Sequence, residues 1–462
     1  MNAIFGPYLA TLIGFMLAGI LFAYLLRRHE RQSASIAWFL LVILLPFIGV
    51  PAYLLLAGRK LEKKARQKHP LQSDINHDAV HLRRAGAQIE NIMRGYGLFG
   101  ASGENHTELI TSGAHAYGEL MAQIDAATVS IHISTFILGR DPVGRAIVKR
   151  LSERAEQGIQ VRLLVDALGS FTSRFTLLPK LERAGGQTGS FMRVLPVHRK
   201  WKANLRNHRK LAIFDGRIAI AGGMNLAEQY MGAQNSHSHW LDTNLKIEGP
   251  AVRDLHTVFT DDWQFATGEI LPEIARIAGL QNHKRIVQIV PSGPDVQLDA
   301  LYDAIVAAIY KAQQRIWIVT PYFVPDDGLM RALLLQARLG IDVRVILPRR
   351  SDHWIADMAR GRFVRSLSEA GVRFFAHRSR MMHAKHVLVD DTVAISGSAN
   401  LDMRSMYLNY ELALFCYDDE SVVDTQCWIS EVLAQCDQYQ LSKPSMLRRL
   451  AEDLCWLAAP LL

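Results

Sequence analysis

The amino-acid sequence predicts an α/β protein: two similar αβα lobes in a pseudo-twofold arrangement, preceded by an N-terminal pair of apolar helices. Three observations predict this. Past residue 105, apolar runs alternate with amphipathic stretches. The second half of that region repeats the first at an offset of about 175 to 187 residues. The first sixty residues hold two long apolar runs instead.

Residues 4–26 contain no charged side chain, enough for a helix to cross a bilayer, and Arg27, Arg28 and Arg31 follow at once. A second apolar run, 36–56, is interrupted by Pro46 and Pro51, and a basic stretch from Arg59 to Lys68 comes next. No basic residue precedes the first run and a second run follows it, so an anchor fits better than a cleaved signal peptide. The larger Lys/Arg count after the second run puts the lobes on the cytoplasmic side. The prolines leave two topologies open for that run, spanning or re-entrant. The expected organisation is a membrane-anchoring pair at 1–58, a basic linker at 59–105, a first lobe at 106–280 and a second at 281–462.

The repeat is legible strand by strand. Residues 129–138 (VSIHISTFIL) match 316–324 (IWIVTPYFV), each a buried strand. Residues 158–165 match 340–347 as the next strand, and 181–185 match 367–371 as a helix end closed by glycine. Two copies on one chain imply that a site at their axis draws groups from both.

The formal charge of +8 and pI near 9.3 suit an anionic partner: nucleic acid, an acidic membrane surface or a phosphate-bearing substrate. The four cysteines, all within the last fifty residues, have neither C-x-x-C spacing nor an accompanying histidine cluster. Reduced thiols are expected, with no disulfide framework or zinc site.

The chemistry sits at matching points of the repeat. The first copy carries His208, Lys210 and Asp215, and the second His383, Lys385 and Asp390; an Asn follows each His by 17 residues, Asn225 and Asn400. These six His, Lys and Asp residues form the candidate catalytic set, with the two Asn as substrate-binding donors. On a strand, i and i+2 share a face, so each His projects with its Lys. Each Asp falls at the following turn with opposite parity, which makes it a hairpin-fixing residue within the motif. Lysines supply fixed positive charge for phosphate oxygens, and Asn amides in Gly-rich turns add donors. One imidazole can attack phosphorus while the other protonates the leaving alkoxide and then deprotonates the incoming hydroxyl. This chemistry needs no metal or other cofactor, and no carboxylate cluster that could hold a metal is visible. Each His needs a carboxylate on its other nitrogen; Asp242 is the candidate for His208 and Glu411 for His383, each within its own copy.

The paired motifs, with residues 287–295, 320–325, 400–405 and 409–411, resemble the phospholipase D superfamily and, within it, the bacterial cardiolipin synthases. The resemblance covers essentially the whole chain. It implies phosphatidyl transfer from one phosphatidylglycerol to another through a phosphohistidine, with release of glycerol and formation of cardiolipin. It further implies His208 as nucleophile, His383 as acid/base, an inner-membrane location and no nucleic-acid partner. The basic, Trp-containing stretch 198–206 is either a membrane contact or a solvated loop, and the amphipathic 447–462 either lies on the membrane or caps the core. His353, at a helix start, is expected to be structural or at the rim. Hydrolytic phospholipase D, transfer to another alcohol and nuclease activity remain open alternatives, and a degenerate scaffold fits poorly with two complete motifs.

Overall fold

The computed structural model describes Lys68 and residues 80–192, 205–236, 238–275, 277–280, 283–296 and 298–458. The apolar runs read as a membrane pair lie outside the described residues. Among the described residues, no helix is long and apolar enough to cross a membrane.

The first lobe contributes β1 (Ser102–Ile110), β2 (Ser130–Thr135), β3 (Gln160–Asp166), β4 (Gln187–Phe191), β5 (Leu211–Phe214), β6 (Ile218–Gly222) and β7 (Asn244–Glu248). The second contributes β8 (Arg285–Ser292), β9 (Arg315–Val319), β10 (Phe323–Val324), β11 (Asp342–Pro348), β12 (Arg373–His377), β13 (His386–Val389), β14 (Val393–Gly397), β15 (Leu401–Asp402), β16 (Glu411–Cys416) and β17 (Cys436–Gln438). Fifteen strands join in the order β17-β12-β11-β9-β13-β14-β16-β8-β1-β7-β6-β5-β2-β3-β4. From the β8–β1 seam outward the two halves run in the same sequence, and β17 is an addition on the second. The α/β class and the doubled lobe therefore stand as expected. Helices alternate with β2, β3 and β4, and with β9, β11 and β12, giving parallel strands. The chemistry-bearing hairpins β5–β6 and β13–β14 are antiparallel.

At the seam, register holds only at Ser102↔Val287 and Asn105↔Arg285, with a bulge between. The lobes are held by more than this seam. One apolar core runs through both, with Leu255, Phe259 and Trp263 of helix Ala251–Thr267 in the same cluster as Leu388, Trp428 and Ile429. Within the stretch 59–105, the described residues 84–95 depart from the linker expectation. Residues Arg84–Gly95 form a helix whose Ile89 and Met93, one turn apart, are fully buried in the second lobe's core beside Ala304 and Ile305. Its arginines hid that apolar stripe.

Candidate active site

Each motif hairpin is fixed at its far end by the Asp. Asp215 and Asp390 sit at φ 51° and 50°, in the left-handed region. Asp215 accepts from the backbone N–H of Thr128, Val129 and Ser130 at 2.7–2.8 Å, and Asp390 from Gln313, Gln314 and Arg315 at 2.7–2.9 Å. Both carboxylates thus bind the chain entering β2 and β9, at the opposite end of the hairpin strand from the His. Both Asp side chains are thus engaged by backbone N–H groups, as the parity argument expects of hairpin-fixing residues.

The histidines lie just before β5 and β13, and their carboxylate partners are crossed between lobes. His208 Nδ1–H points to both oxygens of Glu411 at 3.2 and 3.3 Å, and His383 Nδ1–H donates to Asp242 at 2.5 Å. The expected same-copy pairing is corrected by backbone geometry. Residues before each His form a bridge with residues before the other lobe's carboxylate strand, Asn207↔Tyr410 and Leu241↔Met382. The N–H of His208 donates to the carbonyl of Tyr410 at 2.8 Å, and that of His383 to Leu241 at 2.7 Å.

The site is buried, with Lys210, His383, Lys385, Asp242 and Glu411 each at most 4% exposed. The His208 side chain is the most open of the two imidazoles, at 15% against 5% for His383. Phe136 packs edge-on against His208 at 4.7 Å, whereas Tyr230 and Trp240 enclose His383, each at 5.1 Å. Lys210 donates to the His208 carbonyl at 2.6 Å. Lys385 donates to the His383 carbonyl, and its Nζ lies 3.7 Å from Asp242. Burial and Lys210 hold His208 below its usual range, and burial and Lys385 push His383 down to about 4. Burial, with Lys385 close by, pulls Lys210 down to about 7 despite Glu411 and Asp242. Burial would raise Asp242 and Glu411, but the Lys385–His383 and His208–Lys210 groups outweigh it and hold both carboxylates low.

The lobes differ where symmetry would predict identity. Ser398 Oγ donates to Glu411 at 2.5 Å, while its counterpart in the first lobe is Gly223. A Cβ there would lie 2.1 Å from Asp242 Oδ1, so only glycine fits against the shorter acid. Asn225 Oδ1 accepts from the Ile137 N–H at 3.0 Å, and the Asn400 side chain bonds Asp402 while its Oδ1 is buried without a partner.

Beneath His208 lies a charge network that sequence reasoning missed. Arg209, fully buried, binds Asp262 at 2.7 Å, Asp295 at 3.1 Å and the Glu411 carbonyl at 3.0 Å. Lys68 reaches the same acids at 2.5 and 2.6 Å and Asp261 at 2.7 Å, and Asn207 donates to Asp262 at 3.1 Å. The fold therefore does assemble a carboxylate cluster, Asp261–Asp262–Asp295, that the sequence did not reveal. Two protein cations fill it. No spacing signal could have found a cluster drawn from segments so far apart.

Two imidazoles, each with one nitrogen held by a buried carboxylate, beside two lysines and shared between repeated lobes, define a phosphodiester-transfer protein with one composite site. The comparisons narrow that class. The family model "Cardiolipin synthase, PLD-like domain" matches residues 120–263 and 305–433, and a "Phospholipase D-nuclease N-terminal" model matches 15–58. Cardiolipin synthase 1 of Bacillus cereus is 32% identical, covering 98% of this chain and 94% of that protein. Cardiolipin synthase of Geobacillus kaustophilus is 30% identical, covering 94% and 90%. The solved phosphatidylserine synthase of Haemophilus influenzae shares the fold at TM-score 0.60 and 13% identity, covering 87% of this chain and all of the other. The chain belongs to the cardiolipin synthase family of phospholipase D-like proteins.

Proposed function

We propose that the chain is a phosphatidyltransferase that makes cardiolipin from two phosphatidylglycerol molecules. The crossed, carboxylate-held histidine pair carries this reading. With Nδ1 committed to Glu411, His208 presents the Nε2 lone pair to phosphorus, and its greater exposure favours it as nucleophile. The P–N bond forms as the bond to the first glycerol headgroup breaks, and His383 Nε2–H protonates the departing oxygen. His383 is neutral in the empty site; the arriving phosphodiester's negative charge raises its proton affinity, as it does for Lys210. In the second half His383 takes the proton from a headgroup hydroxyl of the second lipid, whose oxygen displaces Nε2. Lys210, Lys385 and the amides of Asn225 and Asn400 are assigned to the non-bridging phosphate oxygens, Asp242 and Glu411 to holding the imidazoles. Asp215 and Asp390 serve by fixing the hairpins. No cofactor enters this scheme.

The apolar runs within 1–58, together with the N-terminal model match, support an anchor in the bacterial inner membrane with the lobes in the cytoplasm. The division into an anchoring pair at 1–58 and lobes at 106–280 and 281–462 is part of the same proposal, with helix Arg84–Gly95 packed into the second lobe. Purified protein in detergent, supplied with phosphatidylglycerol, is expected to yield cardiolipin and glycerol. Phosphatidic acid alone would mean hydrolysis, and DNA cleavage without lipid product would refute both lipid readings. His208→Ala and His383→Ala should each abolish turnover.

A further inference from the structure

The loops that follow β3 and β11, with the helices they open (Phe171–Thr176 and Trp354–Glu369), occupy matching places in the two lobes, and both expose large apolar side chains. In the first lobe Leu168, Phe171 and Phe175 are 47%, 47% and 59% exposed, and in the second Trp354 is 68% exposed. Side chains of that size on a surface call for an explanation when they recur at equivalent positions. Both groups lie one residue layer from a catalytic imidazole. Ser170 Oγ donates to the Phe136 carbonyl at 2.9 Å, and the Phe136 ring packs on His208. Tyr322 OH donates to Asp352 at 2.6 Å and packs on His353 at 5.2 Å, and the same ring faces His383 at 6.5 Å. Cations accompany both groups: the Arg174 guanidinium lies 4.6 Å from the Phe175 ring and 5.8 Å from Phe171, and Arg350 is exposed beside the Trp354 loop.

We propose that these two loops form a bipartite rim that rests on an anionic lipid surface, so that the mouth of the composite site opens directly onto the bilayer holding its substrate. The inference rests on the lipid-transfer reading above. Exposed aromatic rings suit the headgroup–acyl boundary, and arginines beside them keep their charge at the phosphate level. Anionic phosphatidylglycerol supplies the complementary charge. Because the N-terminal segment is proposed to anchor the chain, the rim's task is orientation and lipid capture, not attachment.

The full chain is reconstituted into phosphatidylcholine vesicles containing phosphatidylglycerol, as wild type and as Phe171→Ser/Phe175→Ser/Trp354→Ser. The variant is expected to lose about tenfold in turnover of vesicle phosphatidylglycerol, yet to stay within about twofold of wild type on monomeric dihexanoyl phosphatidylglycerol. Vesicle turnover within about twofold of wild type, or an equal fall on both substrates, overturns the proposal. Lipids brominated in the acyl chains provide a second readout: the fluorescence difference between wild type and Trp354→Phe should be quenched in such vesicles, and no quenching overturns the rim. A wild type that makes no cardiolipin from either substrate defeats the functional reading instead, and the quenching result then decides the rim alone.

Discussion

Replacing Asp242 by Asn removes the charge held 2.5 Å from His383 Nδ1 and 3.7 Å from Lys385 Nζ while keeping the side chain's shape. At an effective dielectric of about 20, a unit charge at roughly 4 Å contributes about 4 kcal/mol to the protonated imidazole. At about 1.36 kcal/mol per decade, steps that need His383 to carry a proton should slow about a thousandfold. The same reasoning applies to Glu411→Gln and His208 with a smaller effect, because Glu411 lies 3.2 Å from Nδ1 and also accepts from Ser398. A phosphatidyl ester of p-nitrophenol separates the two, because its leaving group departs without protonation. Asp242→Asn should release one equivalent of p-nitrophenol in a burst and then stall, as His383→Gln should. Glu411→Gln should give no burst, as His208→Gln should. If instead Asp242→Asn resembles His208→Gln, the crossed pairing is wrong, whichever imidazole is the nucleophile.

Three further outcomes are expected. Asp215→Ala leaves three backbone N–H groups without their acceptor and should cost about 1–3 kcal/mol of stability by thermal or denaturant unfolding, while the folded fraction keeps its kcat. The buried imidazoles of His132, His256, His383 and His386 are pushed down to about 3, 4, 4 and 4, so the unfolded chain binds more protons than the folded one between those values and about 6.5. Stability should therefore be full above about pH 6.5 and fall as pH drops toward 4, read as a falling Tm; a flat Tm over that window contradicts the assignment. Lys68→Ala leaves three acids facing Arg209 alone and should lower stability by about 3–5 kcal/mol, with partial recovery in methylammonium. An unchanged Tm would show that Lys68 does not fill that cluster in solution.

The doubled lobe was readable because buried strands announce themselves locally: residues 158–165 and 340–347 lie within two residues of β3 and β11. The candidate site residues were readable because they recur, His208 with Lys210 and His383 with Lys385. The partners of those groups were only half readable. Asp242 and Glu411 were expected as the acids that hold the imidazoles, but which His each serves depends on how the lobes dock, and a repeat carries no record of docking. Helix Arg84–Gly95 was hidden because its fully buried large apolar side chains are only two, Ile89 and Met93, in a stretch rich in polar and small residues. The Lys68–Arg209–Asp262–Asp295 network leaves no pattern at all, since each member is a single residue in an unrelated segment.

The exchange of carboxylates between lobes also bears on how the protein comes into being. His208 leaves the ribosome about two hundred residues before Glu411, and until the second lobe is made and docked its imidazole has no acid to hold it. Each lobe carries an imidazole whose carboxylate comes from the other lobe, so neither pair forms until both lobes are made and docked.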